Sequence, residues 1–277
     1  MTADRSGQVR ADTGRKGAKL AGRVVLPAAA SLCPLLLLVC APAVAGAQSI
    51  AARVAGVRDG RVHLSFAARP GVCGNGRNIQ MSSSSGDWES DCEPGPVRVS
   101  IERQAGATVR IRTHVGGRWR SGVASVTDLG TVPAAGAARY LLDVARHSDA
   151  RPGSEAILGA ALADSVTVWP DLLAIARASD IPTATKKSAV FWLGQAAGEA
   201  AVAGLTGLAT GNDPDERVKE SAIFALSQLH NGAGVEPLIQ IARSNADPRL
   251  RKKALFWLGQ SDDPRALALF EELLTKH

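Results

Sequence analysis

The chain has 277 residues, 45% of them apolar and 21% charged, which excludes a disordered protein and allows one or two domains with cores of their own. Its net charge is +6, but residues 1–47 hold six basic side chains (Arg5, Arg10, Arg15, Lys16, Lys19 and Arg23) against Asp4 and Asp12. That leader supplies +4, so residues 48–277 carry only +2, too little to argue for a nucleic-acid partner.

The first element is a targeting segment over 1–47. A basic stretch ends at Arg23, an uncharged run follows from Val24 to Ala47, and its centre is Leu35-Leu36-Leu37-Leu38-Val39. It closes on Ala45-Gly46-Ala47, the small-x-small pattern of a secretory signal, and places cleavage before Gln48. The rival reading is an uncleaved anchor, since the run is long enough to span a bilayer. Pro27, Pro34 and Pro42 make it a poor continuous helix. A lipid attachment at Cys40 is disfavoured by Val39 before it. Either way the remainder is expected outside the cytoplasm, periplasmic or secreted, touching membrane only through this segment if it is retained.

Cysteine usage agrees. Beyond Cys33 and Cys40 in the leader, only Cys73 and Cys92 remain. Their spacing matches no C-x-x-C or zinc pattern and no nearby histidine completes a site, so a disulfide is expected. Closing a loop of about 20 residues would stabilise by about 3 kcal/mol, less any strain.

Residues 48–132 alternate with a period of two. Val62, Leu64 and Phe66 form one set, Val97, Val99 and Ile101 a second, Val109 and Ile111 a third. Half-buried strands follow from this pattern, in a small antiparallel sheet of four to six strands. Gln104-Ala105-Gly106 marks a hairpin turn, Gly116-Gly117 a strand end, and Ser82-Ser83-Ser84-Ser85-Gly86 a mobile loop. The glycines of Gly71–Gly76 open no helix and read as a turn, not a phosphate loop. Asp87, Glu89, Asp91 and Glu93 fit no calcium loop and read as solvated.

From 139 the chain repeats. Ala189-Val190-Phe191-Trp192-Leu193-Gly194-Gln195 returns at 222–228 and 254–260, at offsets of 33 and 32, with a weaker copy at 156–162. A second series, Leu172, Leu205, Leu238 and Phe270, is followed three residues on by Ile175, Leu208, Ile241 and Leu273. Positions i and i+3 share a helix face, so each unit is two helices, the first buried between neighbours and the second carrying one apolar stripe. Leu141–Arg146 matches Leu172–Arg177 as an extra second helix. Neither helix pair can bury both faces alone, which requires stacking.

The last unit displays Asp247-Pro248, Arg251, Ala254, Leu258-Gly259 and Asp263-Pro264-Arg265-Ala266. In this it resembles the short bacterial HEAT-like repeats, related to those of phycobilin-lyase subunits. The resemblance covers about residues 150–277 and implies a fold, not a function. The expected class is α+β: a disulfide-pinned antiparallel β section, then an α-helical HEAT-like solenoid of about four and a half repeats over 139–277. Gly204 and Gly207 weaken one second helix, by up to about 1 kcal/mol each relative to Ala.

Arg146, Arg177 and Arg243 recur at one position of the second helices. The functional reading is a row that grips acidic groups of a protein partner; the bland one is a solvated row paired with neighbouring acids. The resemblance implies an inter-repeat ladder from Lys186, Lys219 and Arg251 to acids such as Asp215 and Asp247. Trp192 and Trp257 are expected in the core, and Gln195, Gln228 and Gln260 at helix ends, satisfying backbone groups. The histidines, His63, His114, His147, His230 and His277, are scattered, and no nucleophile, metal or paired-carboxylate motif is present. The reading is an exported scaffold or adaptor that binds a protein, not an enzyme and without a cofactor. The alternative is a lyase-like enzyme or enzyme subunit with its site in the β section, signalled by a pocket holding His63 or His114 beside an acid.

Overall fold

The computed structural model describes residues 49–81, 92, 94–121, 125–213 and 215–275. The leader, the serine loop and the acidic group at 87–93 lie outside the described residues. The elements in chain order are α1 (Ile50–Ala55), β1 (Gly60–Phe66), β2 (Val72–Gly74), β3 (Ile79–Met81), β4 (Val97–Gln104), β5 (Ala107–Val115) and β6 (Val126–Thr131). Then come α2 (Ala134–His147), α3 (Ala150–Ala161), α4 (Trp169–Arg177), α5 (Thr183–Ala197), α6 (Val202–Thr210), α7 (Glu216–Ser227), α8 (Val235–Ser244), α9 (Pro248–Leu258) and α10 (Pro264–Thr275).

The alternating residues form the expected strands. Val62, Leu64, Phe66, Val97, Val99, Ile101 and Ile111 are all buried on one face. The β4–β5 turn is tight, with φ of 50° at Ala105 and 82° at Gly106, the two left-handed residues of a two-residue hairpin. Asp59 Oδ1 accepts the Ala105 N–H at 2.7 Å, which supports an alanine in that conformation.

The sheet order is β5-β4-β1-β6. β1 pairs antiparallel with β4, and β4 with β5. β6 pairs parallel with β1, so the sheet is mixed, not antiparallel throughout as expected. The reason lies in the connection. β5 and β6 run the same way on opposite edges, so the chain must travel back along the sheet and across two intervening strands before β6 can pair. No hairpin does this. β2 and β3 form a separate two-stranded ribbon. Cys73 on β2 and Cys92 lie at disulfide distance, with Cα atoms 5.2 Å apart.

α2 and α3 cover the apolar face of the sheet. A Cβ at Gly159 would lie 2.8 Å from Leu141 Cδ1 and 3.2 Å from Thr113 Oγ1, so glycine sets how closely α3 approaches both α2 and β5. The outer edge of β5 is also engaged. Glu155 of α3 accepts the Ile111 N–H at 2.7 Å, satisfying a donor that an edge strand would leave open.

The helices stack in two layers. α3, α5, α7 and α9 pack in succession, and α2, α4, α6, α8 and α10 do the same beside them. One unpaired second-layer helix thus precedes four helix pairs. Phe191, Phe224 and Phe256 occupy the same place in α5, α7 and α9, eight residues after the first residue of each. The repeated core positions Ile157, Val190, Ile223, Leu172 and Leu205 are fully buried. Burial of such side chains, about 25 cal/mol per Å², is what holds one pair to the next.

Polar staples join the repeats, though not the expected ladder. Asp215 and Asp247 cap α7 and α9 by accepting the N–H of Arg217 and Arg249. Asp215 also accepts the Thr183 hydroxyl from the preceding pair, and Arg249 reaches back to Glu216. Arg265, forked on Asp263, donates to the Gly232 carbonyl at 2.9 Å. Of the ladder residues, Lys186 pairs with Asp213, whereas Arg251 donates to the Asn245 carbonyl. The glutamines do not close helix ends: Gln228 Nε2 donates to Ser227 Oγ, and the ends close by tight backbone bonds such as Gln228 N–H to the Ala225 carbonyl.

Arg217 and Thr183 hold the Asp215 carboxyl at about 2, and Arg265 holds Asp263 at about 2, both below the ordinary 3.8. Depressed carboxyls favour folding while ionised, so their contribution is present above pH about 4 and is lost as the pH falls toward 2. Asp215→Asn with Asp263→Asn is expected to flatten the decline in unfolding free energy between those pH values, measured by urea melts followed by circular dichroism. Gly159→Val, forced against Leu141 and Thr113, is expected to destabilise by about 1–3 kcal/mol in the same assay.

Candidate functional site

The face of the sheet opposite the helices carries the other half of each alternating strand. Arg61 and His63 come from β1, Arg98 and Ser100 from β4, Arg112 and His114 from β5. Strand register sets His63, Ser100 and Arg112 side by side in one row, and Ser65, Arg98 and His114 in the next.

The β5–β6 crossover builds the wall. Its inner route is occupied by α2 and α3, and the described start of the connection, residues 116–121, lies on the outer face. The path is about 17 Å back along the strands and about 14 Å across them. Gly116 and Gly117, both at φ 64°, start the reversal. Arg98 Nε donates to both of their carbonyls, at 3.3 and 3.1 Å, and pins the loop root.

This lays Trp119 on His63, with ring centroids 3.8 Å apart and planes 15° from parallel, and edge-on to His114 at 6.1 Å. His114 Nδ1 donates to the Gly76 carbonyl at 2.8 Å, since a carbonyl can only accept. His63 is only 8% exposed. Burial, chiefly, lowers its pKa; Asp128 opposes this, while Arg61 and His114 add to it. The uncharged imidazole is therefore favoured more than in an ordinary histidine. The pocket is open to solvent on one side and has a volume of about 440 Å³, and Arg118 and Arg120 of the loop join the strand residues around it.

The pocket brings together two histidines separated by 51 positions in sequence, with Asp128 across from His63 in the β1–β6 register. Neither that meeting nor Trp119 was legible from spacing. A signal was present, however: positions 61, 63, 98, 100, 112 and 114 are the polar alternates of the three apolar sets.

The predicted arginine row lies elsewhere, on the second helices. Arg146 pairs with Asp171 on α4 at 2.6 Å, and Arg243 pairs with Glu272 on α10. Each thus reaches an acid on the following second helix. Arg177 faces α6, which has no acidic residue, and makes no ion pair among the described residues. It borders a groove with the buried Lys186–Asp213 pair.

On the first helices the aromatics are less buried than expected. Phe191 is 39% and Phe256 56% exposed. Trp192 and Trp257 are half-buried beneath them, Phe191 edge-on to Trp192 and Trp257 between Phe224 and Phe256 with centroids 5.0 Å away. Successive first helices bury only the sides they turn to one another and to the second layer, so Phe191 and Phe256, at the ninth position of α5 and α9, are left outward. Lys187 and Lys252, four residues before Phe191 and Phe256, are exposed beside them.

Among known proteins, no family model matches the chain, and no curated protein matches it. A solved structure of the complex of CpcE and CpcF of phycocyanin lyase from Nostoc sp. PCC7120 is similar at 19% identity, with a TM-score of 0.38. The likeness covers 50% of this chain and 89% of that one. It carries neither activity nor substrate across. One correction follows: the expectation that this chain is not an enzyme rested in part on the lack of a catalytic motif, and the similar structure is that of a lyase. The pocket, with its buried His63 near Asp128, removes the other ground for that expectation, the scattering of the histidines.

The His63 shift has a pH consequence. A histidine whose folded pKa lies below the ordinary 6.5 takes up its proton more readily when unfolded. Stability is then full above pH about 6.5 and declines as the pH falls through that value. His63→Gln is expected to reduce the decline between about pH 7 and pH 5, read from denaturant midpoints across that range.

Proposed function

We propose that this chain is an exported adaptor whose HEAT-like repeat stack holds an acidic polypeptide segment bearing apolar anchors. The observation that carries the reading is the outward aromatic row. Phe191, Phe224 and Phe256 recur at one position of three consecutive first helices, where Phe191 and Phe256 stay exposed, and Trp192 and Trp257 stand half-buried at the next position. Exposed aromatics arranged in a line are costly in water and are the anchor type that dominates protein interfaces. Exposed Lys187 and Lys252 beside the row favour an acidic partner.

Stacked repeats support this use, because each adds one helix to a surface that grows with the array. The basic, apolar, small-residue order of the leader supports export, and a pair of cysteines at disulfide distance suits an oxidising compartment. The β section closes the start of the stack, with α2 and α3 laid on its sheet.

Cross-linking in intact cells, with the adducts identified by mass spectrometry, tests the reading. The expected adduct is a single polypeptide attached near the first helices, and Phe191→Ser with Phe256→Ser is expected to weaken it about tenfold or more while helicity is retained. An adduct of undiminished yield in that variant overturns the proposal. The same digests, run without reduction, are expected to contain a peptide beginning at Gln48 and a linked pair holding Cys73 and Cys92.

A further inference from the structure

The pocket on the outer face of the sheet plays no part in the partner reading, and its chemistry is of another kind. We infer that it binds a small, multiply charged oxyanion, phosphate-like in size and charge.

Charge pairing is the first observation. On the repeats, Arg146, Arg217, Arg243, Arg249 and Arg265 all find acids. At the pocket, Arg61, Arg112, Arg118 and Arg120 form no ion pair among the described residues. The strand registers set Glu102 opposite Arg61 and Asp128 opposite His63, yet neither forms an ion pair with these arginines, so four gathered guanidinium groups still repel one another and an anion in their midst would relieve that. Guanidinium suits the task, because its planar fork matches two oxygens of a phosphate-like group at once.

Construction is the second. Arg61 and Arg112 stand on strands whose inner faces are locked in the core, so their roots are fixed. Arg98 ties the loop root, which places Arg118 and Arg120 over the same space from the opposite side. His63 and Ser100, both buried, offer uncharged hydrogen-bonding groups at the floor between them. The His63–Trp119 stack bounds the space on one side. At about 440 Å³ the pocket lies in the usual range of small-molecule sites.

Calorimetric titration of the mature chain with inorganic pyrophosphate, at low ionic strength, tests the inference. The expected result is a dissociation constant below about 1 mM, with chloride and acetate binding far more weakly. Arg61→Gln with Arg112→Gln is expected to weaken pyrophosphate about tenfold or more. The same variant is expected to melt no lower than the parent when free of ligand, because two repelling charges are gone. Four results would overturn the inference. The first is pyrophosphate binding no better than chloride. The second is unchanged binding by the variant. The third is a variant that melts well below the parent, which would assign the arginines to holding the sheet. The fourth is dextran sulfate binding without competition from pyrophosphate, which would mark a flat basic surface and not a pocket. None of these results bears on the aromatic row, whose variants are read by cross-linking.

Discussion

Burial of the sheet's inner face beneath α2 and α3 is the contact on which both halves of the molecule depend. It gives the strands a core they could not make alone, since a four-stranded sheet with two wet faces has nowhere to put Leu64, Phe66 or Ile101. It gives α3 a fixed partner on the side where a preceding repeat would otherwise stand. It also closes the inner route for the β5–β6 connection, so the pocket wall on the outer face follows from the helices on the inner one.

How much of this could be read in the sequence depended on range. Val62-Leu64-Phe66 and Val97-Val99-Ile101 announced strands because alternation is a local property of the chain. Phe191, Phe224 and Phe256 announced stacked helix pairs because a repeat exposes its own period. The parallel edge strand was hidden, since Val126–Thr131 looks the same locally whichever neighbour it joins. The pocket was hidden for a related reason. His63 and His114 share a face only once register is known, and Trp119 reaches them only through the crossover. The outward position of Phe256 was misjudged because apolar periodicity does not say which side of a helix a neighbour covers.

Arginine is used in two ways along the chain. On the repeats it works at short range, forked on an aspartate two residues earlier or reaching an acid one helix away, and such exposed pairs add about 0–1 kcal/mol each. Their value is register more than strength, since Arg249 to Glu216 and Arg265 to the Gly232 carbonyl each join one unit to its neighbour. At the pocket, Arg61 and Arg112 are held on rigid strands and form no ion pair among the described residues. The overall charge of the chain conceals this division, because a near-neutral sum hides a local excess.

The helix α6 sets the stack's mechanical character. It carries Gly204 and Gly207, offers no charge to Arg177, and so lacks the cross-link that joins α2 to α4 and α8 to α10. In a linear array cooperativity passes through each joint in turn, and the array divides at its weakest one. The second layer thus loses its charged tie at α6, and there the stack is held by the packing of α5 on α3, α4 and α7 instead.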